Sequence, residues 1–214
     1  MPATKFSTFE LLRIIIPGMY CTTIIVMFFY ILNAELFNTI SQNIFWLMFF
    51  AFSLVIGLTI YAKETPKKRK AFQTNLPSYF IAERSRSISN TPLTDEEAKK
   101  IYFYILNQHM PVTVQDKIFF FGMLYSIMVN IRRLSFWFGI IGIAAMVIQY
   151  GFVGYISPSL LWFIFILWII YFLNVRYNKA DRKMQENYQD QIFWLETNLP
   201  IIDTLLKQRS EFHS

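Results

Sequence analysis

Four long runs of apolar residues, each free of Asp, Glu, Lys, Arg and His, dominate the pattern along the chain. A helix that crosses the hydrocarbon core of a bilayer takes about 20 residues, with about 17 as the lower bound. The runs reach this length or come close to it, and they are Ile14–Leu32, Ile44–Tyr61, Leu134–Tyr150 and Leu160–Val175. They predict four transmembrane helices arranged as two hairpins. Pro17 and Gly18 lie near the start of the first run, and we expect them in the first turn of its helix, where a proline costs least.

The basic residues give these helices an orientation. Of the 20 Lys and Arg, two precede the first run, twelve lie between the second and third runs, and six follow the fourth, whereas 33–43 and 151–159 contain none. Cytoplasmic loops collect Lys and Arg during insertion. We therefore expect a multi-pass protein of an inner or plasma membrane, with both termini and the central segment in the cytoplasm.

The first run has a second interpretation as a cleaved signal peptide, because Lys5 and Arg13 precede it and Ala34 follows it. Signal peptides have an apolar stretch of about 7–15 residues, followed by a small-x-small cleavage site. This run is longer and no such site follows it, so we favour a membrane anchor.

Start and stop signals predict helices outside the four runs. Thr94 and Glu97 have the spacing of a capping box, and we expect a helix from there to about His109, ended by Pro111. Apolar residues recur along it at helical spacing. They are Ala98, Ile101, Tyr102, Ile105 and Leu106.

The chain from Thr113 onward predicts one long helix from about Val114 to Tyr150. Thr113 with Asp116 is a second start signal, and the apolar segment Ile118–Ile131 needs shelter from water. Its length is typical of a buried or interfacial helix, and the alternative is a re-entrant or fifth membrane segment.

The fourth run is also expected to continue as a helix until Pro200. Apolar residues keep helical spacing beyond the run, among charged residues that would form a wet face. They are Tyr177, Ala180, Met184, Tyr188, Ile192 and Leu195.

Together these elements predict an all-α polytopic membrane protein with a helical cytoplasmic body formed by the central segment and the C-terminal tail. Residues 1–61 form the N-terminal tail and first hairpin, and 134–175 the second hairpin. Residues 62–133 form the cytoplasmic helical segment, and 176–214 the cytoplasmic C-terminal helical tail.

A short repeat follows each hairpin. Thr74-Asn75-Leu76-Pro77 reappears as Thr197-Asn198-Leu199-Pro200, and basic residues and a serine beyond both copies also correspond. A true duplication would make the two copies equivalent. The alternative is that Asn or Thr caps a helix in each copy, with Pro in its first turn.

Composition excludes several classes of protein. The chain is 55% hydrophobic and 16% charged, with a mean hydropathy of +0.36, which excludes disorder, collagen and an ordinary soluble globule. With one cysteine and two histidines it has no ligands to spare for a Cys/His zinc site, and Cys21 reads as a packing residue. No known catalytic or nucleotide-binding motif appears, so we expect no enzyme activity, no cofactor and no metal.

The candidate binding residues are basic. Such side chains can attract anionic lipid head groups or phosphate, although clusters beside a span also fix topology and Arg side chains are often simply solvated. The candidates are Lys67, Lys68, Arg69, Lys70, Arg84, Arg86, Arg132 and Arg133. The net charge of +6 does not indicate nucleic acid, because these residues need form no continuous stripe.

These features indicate a membrane-anchored adaptor, sensor or assembly component that acts through its cytoplasmic helices. Its expected partners are the lipid bilayer, other copies of the chain or another membrane protein. The alternative is an oligomeric channel or membrane-perturbing effector gated by the cytoplasmic body.

Overall fold

The structure is a computed structural model that describes residues 3–33, 35, 41–71, 76–88, 93–177 and 179–212. Side chains are described at 8–33, 35, 41–63, 76–88, 93–177 and 179–208. The part of the chain so described contains no strand and is almost entirely helical. The long helices are α1 (Ala3–Leu32), α2 (Gln42–Ala71), α3 (Pro77–Ile88), α4 (Asp95–Gln108), α5 (Val112–Val153), α6 (Pro158–Tyr177), α7 (Lys179–Thr197) and α8 (Leu199–Phe212).

Four helical stretches are long and apolar enough to cross a membrane, and each contains one of the predicted runs. They are Thr8–Leu32, Gln42–Lys63, Val112–Val153 and Pro158–Thr197. The all-α class and the four candidate spans predicted from the apolar runs are thus confirmed.

The position of Pro17 differs from the prediction. Because α1 begins at Ala3, Pro17 lies well inside the helix rather than in its first turn. The prediction equated the start of the apolar run with the start of the helix. The polar residues before the run are helical as well, so the helix begins more than two turns earlier.

The chain divides into two compact units. The apolar unit comprises Met1–Glu64 and Met123–Ala180, and the amphipathic unit comprises Thr65–Gly122 and Asp181–Ser214. Helix α5 contributes residues to both units, because the boundary falls at residue 123 within it.

In the apolar unit, α1 and α2 approach each other closely where glycines remove the side chain. A Cβ on Gly18 would overlap the Ser53 carbonyl oxygen, and a Cβ on Gly57 would overlap the Ile14 carbonyl oxygen. Small residues spaced four apart allow such close approach of helix backbones within membranes. Ser53 and Gly57 provide that spacing here.

Helices α5 and α6 pack on each other and on α1. Phe136 contacts Trp168 and Tyr171 through ring centroids 5.9 and 5.2 Å apart. Helix α1 contributes Ile24 to a small buried cluster with Phe163 and Leu167. A hydrogen bond of 2.7 Å joins the Tyr20 hydroxyl on α1 to the Ser135 hydroxyl on α5.

The amphipathic unit has a larger apolar core. Its fully buried members include Ile81 on α3, Ile105 on α4, Leu195 on α7 and Ile202 on α8. The predicted capping box is confirmed at α4, because the Thr94 hydroxyl accepts from the Glu97 N–H and the Glu97 carboxylate accepts from the Thr94 N–H.

The long helix α5 confirms the predicted continuity from the segment 118–131 into the third span, so this segment is not a separate helix. The start signal differs, because α5 begins at Val112 and Thr113 lies inside it. The Pro111 carbonyl accepts from the Val114 and Gln115 N–H groups, and the Gln115 side chain donates to the Met110 carbonyl. Pro111 therefore lies at the start of the helix, directly before Val112, in the place expected for Thr113.

Helix α7 follows α6, with Asn178 between them outside the described residues. The helix continues to Thr197 as expected, but its buried stripe runs through Asn187, Gln191 and Leu195. Of the apolar residues that were expected to form the buried face, Leu195 alone is fully buried among those the structure describes. A stripe chosen by hydropathy could not include two amides.

The two copies of the repeat have different environments. Thr74 and Asn75 lie outside the described residues, but Pro77 is buried whereas its counterpart Pro200 is exposed. Ile202 is fully buried and its counterpart Tyr79 is exposed. Thr197 and Asn198 donate to carbonyls near the end of α7 rather than cap α8. The prolines do lie in the first turns of α3 and α8, as expected.

Candidate functional site

The basic cluster Lys67–Lys70 lies on α2, which continues as a helix to Ala71. The side chains of these four residues lie outside those that the structure describes. Contact of the cluster with anionic lipid therefore stays a prediction.

Arg84 makes a bidentate ion pair with Asp203 and so joins α3 to α8. Its Nε and Nη2 atoms donate to the two Asp203 carboxylate oxygens at 2.9 and 2.7 Å. The hydrogen bond from Arg84 holds the pKa of Asp203 below its usual range, and the hydrogen bond to Asp203 raises the pKa of Arg84. A planar guanidinium fork matches a carboxylate as well as it matches a phosphate. The guanidinium edge formed by Nε and Nη2 of Arg84 is thus already occupied by a carboxylate of the same chain.

The other candidate arginines have different surroundings. Arg86 is exposed on α3, two residues beyond Arg84 and therefore on another side of the helix. Arg132 is half-buried and Arg133 is exposed, and both lie on α5 within the apolar unit. Arg132 and Arg133 are neighbours in sequence.

Three polar side chains lie buried together in the amphipathic unit. The Tyr102 hydroxyl on α4 donates to the Gln191 side-chain oxygen on α7 at 2.5 Å. Burial, with a smaller effect from Tyr188, raises the pKa of Tyr102 well above its usual value, so this hydroxyl remains a donor at physiological pH. Asn187 lies one turn before Gln191 on the same face of α7. Only 2% of Asn187 is exposed.

A second polar cluster links α1 to α2 in the apolar unit. The two Glu10 carboxylate oxygens accept from Arg13 Nη1 at 2.6 Å and from the Tyr61 hydroxyl at 2.5 Å. The Arg13 guanidinium also lies over the Tyr61 ring, 5.6 Å from its centroid. Each charge has its partner within the cluster, which favours a role in holding the two helices together.

Sequence reasoning missed both clusters and the partner of Arg84. Asn187, Gln191 and Leu195 are spaced by four residues, and this spacing was a signal that the two amides share a face with a core leucine. The partners of Glu10 and Arg84 carried no such signal, because they lie 51 and 119 residues away along the chain.

Potential metal ligands do not cluster in the described part of the chain. No group of three or more His, Cys, Asp or Glu side chains there could hold a metal ion. Cys21 is a buried free thiol within the first candidate span. His109 ends α4, where its N–H donates to the Ile105 carbonyl, and His213 lies outside the described residues.

Comparisons with protein-family models, with curated proteins and with solved structures find no match to this chain.

Proposed function

We propose that this protein is a membrane-anchored adaptor or sensor that contacts a protein partner through its amphipathic unit on the cytoplasmic side. One observation carries the proposal: one face of α4 is buried in the core and the opposite face exposes aromatic side chains. Ile105 and Leu106 on this helix lie in the core, whereas Phe103 and Tyr104 are 46% and 51% exposed. Large aromatic side chains at a water-exposed surface are typical of protein interfaces.

The dimensions of α5 support a helical body outside the bilayer. At 42 residues the helix is about 63 Å long, roughly twice the thickness of a hydrocarbon core. We therefore expect a large part of α5 to extend beyond the bilayer. The basic residues of the chain, most of which belong to the central and C-terminal segments, favour the cytoplasm for that part.

Contacts within the apolar unit support two antiparallel hairpins. Between α1 and α2, Glu10 contacts Tyr61 and Gly18 lies against Ser53. Residue numbers therefore rise along α1 as they fall along α2, as in an antiparallel pair. Between α5 and α6, Gly139 faces Trp168 and Gly142 faces Ile164 in the same antiparallel sense. Two such hairpins have both chain termini on one side of the membrane.

Burial removes three polar residues of the spans from any pore lining and so favours the adaptor over the channel, whereas Thr23 and Thr59 are exposed. Thr22, Ser53 and Ser135 are almost fully buried inside the apolar unit. A pore formed between copies of the chain would be lined by outward-facing residues, and these buried residues do not face outward. An oligomeric channel therefore remains the alternative outcome of the experiment that follows.

Photo-crosslinking from the exposed face of α4 tests the proposal. A benzophenone amino acid at Phe103 should yield one protein adduct in native membranes. The same probe at Glu96, an exposed position nearer the start of α4, is the matched control and should yield much less. Equal adducts at both positions, or a collapse of membrane potential on expression without any adduct at Phe103, would contradict the adaptor.

Cysteine labelling tests the proposed orientation in a Cys21→Ser background. A membrane-impermeant reagent should modify cysteines placed in 62–112 only from the cytoplasm and those placed in 36–40 only from outside. The reverse pattern would overturn the topology while leaving the crosslinking result interpretable.

A further inference from the structure

The side chain of Asn187 is a buried amide without a hydrogen bond in the described part of the chain. Its side-chain Nδ2 and Oδ1 atoms are both inaccessible to solvent, and neither has a hydrogen-bond partner among the described residues. A buried polar group with no partner loses its hydrogen bonds to water and gains none in return. Burial of this amide therefore costs free energy, which is recovered if α7 separates from the rest of the unit.

The attachments of α7 to the unit include a hydrogen bond, an ion pair and a core leucine. Gln191 accepts from Tyr102, and Lys117 donates to Asp190 at 2.5 Å across an ion pair that is about half exposed. Leu195 is the fully buried apolar residue of α7 in the core, with Trp194 packed beside it. An exposed ion pair adds little stability, because water and salt screen it.

Helix α3 contributes more apolar side chains to the described core than α7 does. Among the described residues, α3 places Ile81 and Ala82 in the buried core with Phe80 and Ile88 packed against it, whereas α7 places Leu195 there with Trp194 packed against it. Ile81 on α3 and Leu195 on α7 are both fully buried, so the two positions can be compared directly.

We infer that α7 is a releasable helix, which leaves the core of the amphipathic unit more readily than α3 does and exposes the face that contains Asn187, Gln191 and Leu195. On release the Asn187 amide regains hydrogen bonds to water. A surface hidden in the packed state then becomes accessible without unfolding of the α3–α4 and α3–α8 pairs. This inference does not depend on the proposed function.

Thiol labelling of buried cysteines in the full-length protein, reconstituted in lipid nanodiscs, tests the inference. In a Cys21→Ser background, Leu195→Cys should react with a water-soluble maleimide at least about tenfold faster than Ile81→Cys. Addition of Asn187→Leu should then slow labelling at Leu195→Cys by about tenfold, because an apolar side chain of similar size removes the unpaired amide. Gln189→Leu, at an exposed position on the same helix, is the matched control and should leave the rate nearly unchanged.

Equal labelling rates at the two buried cysteines would show that the unit opens as a whole and would overturn the inference. So would an Asn187→Leu variant with no slower labelling than its parent. If a cysteine variant fails to fold, amide hydrogen exchange of the unmodified chain gives the same comparison. Amides of α7 should then exchange faster than those of α3 and α4, and equal protection would contradict a releasable α7.

Discussion

The two units bury their apolar side chains in opposite ways. In the apolar unit, large side chains point away from the chain, and Leu47 and Val147 are 73% and 68% exposed. In the amphipathic unit, Ile81 and Ile105 are completely buried, and charged residues lie on the outer faces of the helices. The difference indicates two solvents, because an outward apolar surface is stable in lipid and an outward charged surface is stable in water.

The forces that join the helices differ accordingly. Between helices in a bilayer there is no hydrophobic driving force, because lipid tails are as apolar as the side chains. Such helices associate through close backbone packing and polar contacts. The apolar unit shows both, in the approach of Gly18 to Ser53 and in the hydrogen bond between Tyr20 and Ser135. The amphipathic unit instead has an extended apolar core, as expected when the hydrophobic effect drives folding.

Truncation of one apolar side chain in each unit gives the largest expected contrast. Ile81→Ala should lower the free energy of unfolding by about 2–5 kcal/mol, because it removes core contacts and leaves a cavity. Leu47→Ala should change it by less than about 1 kcal/mol, since lipid takes the place of the lost side chain. Denaturant unfolding of the purified protein in nanodiscs, followed by circular dichroism, measures both values. Equal losses for the two variants would contradict the division into two solvents.

A charge on the outer face of each unit should have the opposite effect. Val55→Arg, near the middle of the second span, should oppose membrane insertion by about 2.5–3.5 kcal/mol. Tyr104→Arg, on the outer face of α4, should leave insertion and folding close to those of the parent chain. The fraction of each variant that resists carbonate extraction from membranes gives the measurement. A Val55→Arg variant that inserts normally would place this face of α2 in water or against protein.

The ion pair between Arg84 and Asp203 should have the smallest effect. The pKa of Asp203 is lowered in the folded protein, so the pair stabilises the fold above the ordinary Asp pKa and loses this effect as the pH falls through the folded pKa. Asp203→Asn should therefore lower the melting temperature slightly at neutral pH. On acidification, the melting temperature of this variant should fall by less than that of the parent chain. Both side chains are about one-third exposed, which limits the expected change. An unchanged acid dependence in Asp203→Asn would show that other carboxyl groups cause it.

Features set by residues close together in the sequence could be predicted from it. The four candidate spans, the capping box at Thr94 and the buried face of α4 each follow from residues within a few turns of one another. The start of α1 was placed too late, because a helix begins where backbone hydrogen bonds begin and not where apolar residues do, whereas α5 begins within two residues of the expected Val114.

The polar contacts between helices were beyond the reach of the sequence alone. Asp203 is one of 14 acidic residues, and nothing local marks it as the partner of Arg84. The Tyr102 hydroxyl and Gln191 meet only once α4 and α7 have packed. Amide side chains are mostly exposed to water, so hydropathy predicted that Asn187 lies on the exposed face of α7, whereas it lies on the buried face.

Collision accessibility of spin labels at outward-facing positions tests the two-solvent account most directly. Labels at Leu47, Val147 and Leu161 in the apolar unit and at Tyr104, Lys100 and Gln208 in the amphipathic unit would be compared in lipid nanodiscs. Molecular oxygen concentrates in lipid, whereas a charged nickel chelate stays in water. We expect a high ratio of oxygen to nickel collisions at the first three positions, which face lipid, and a low ratio at the other three, which face water. The same ratio in both groups would contradict it.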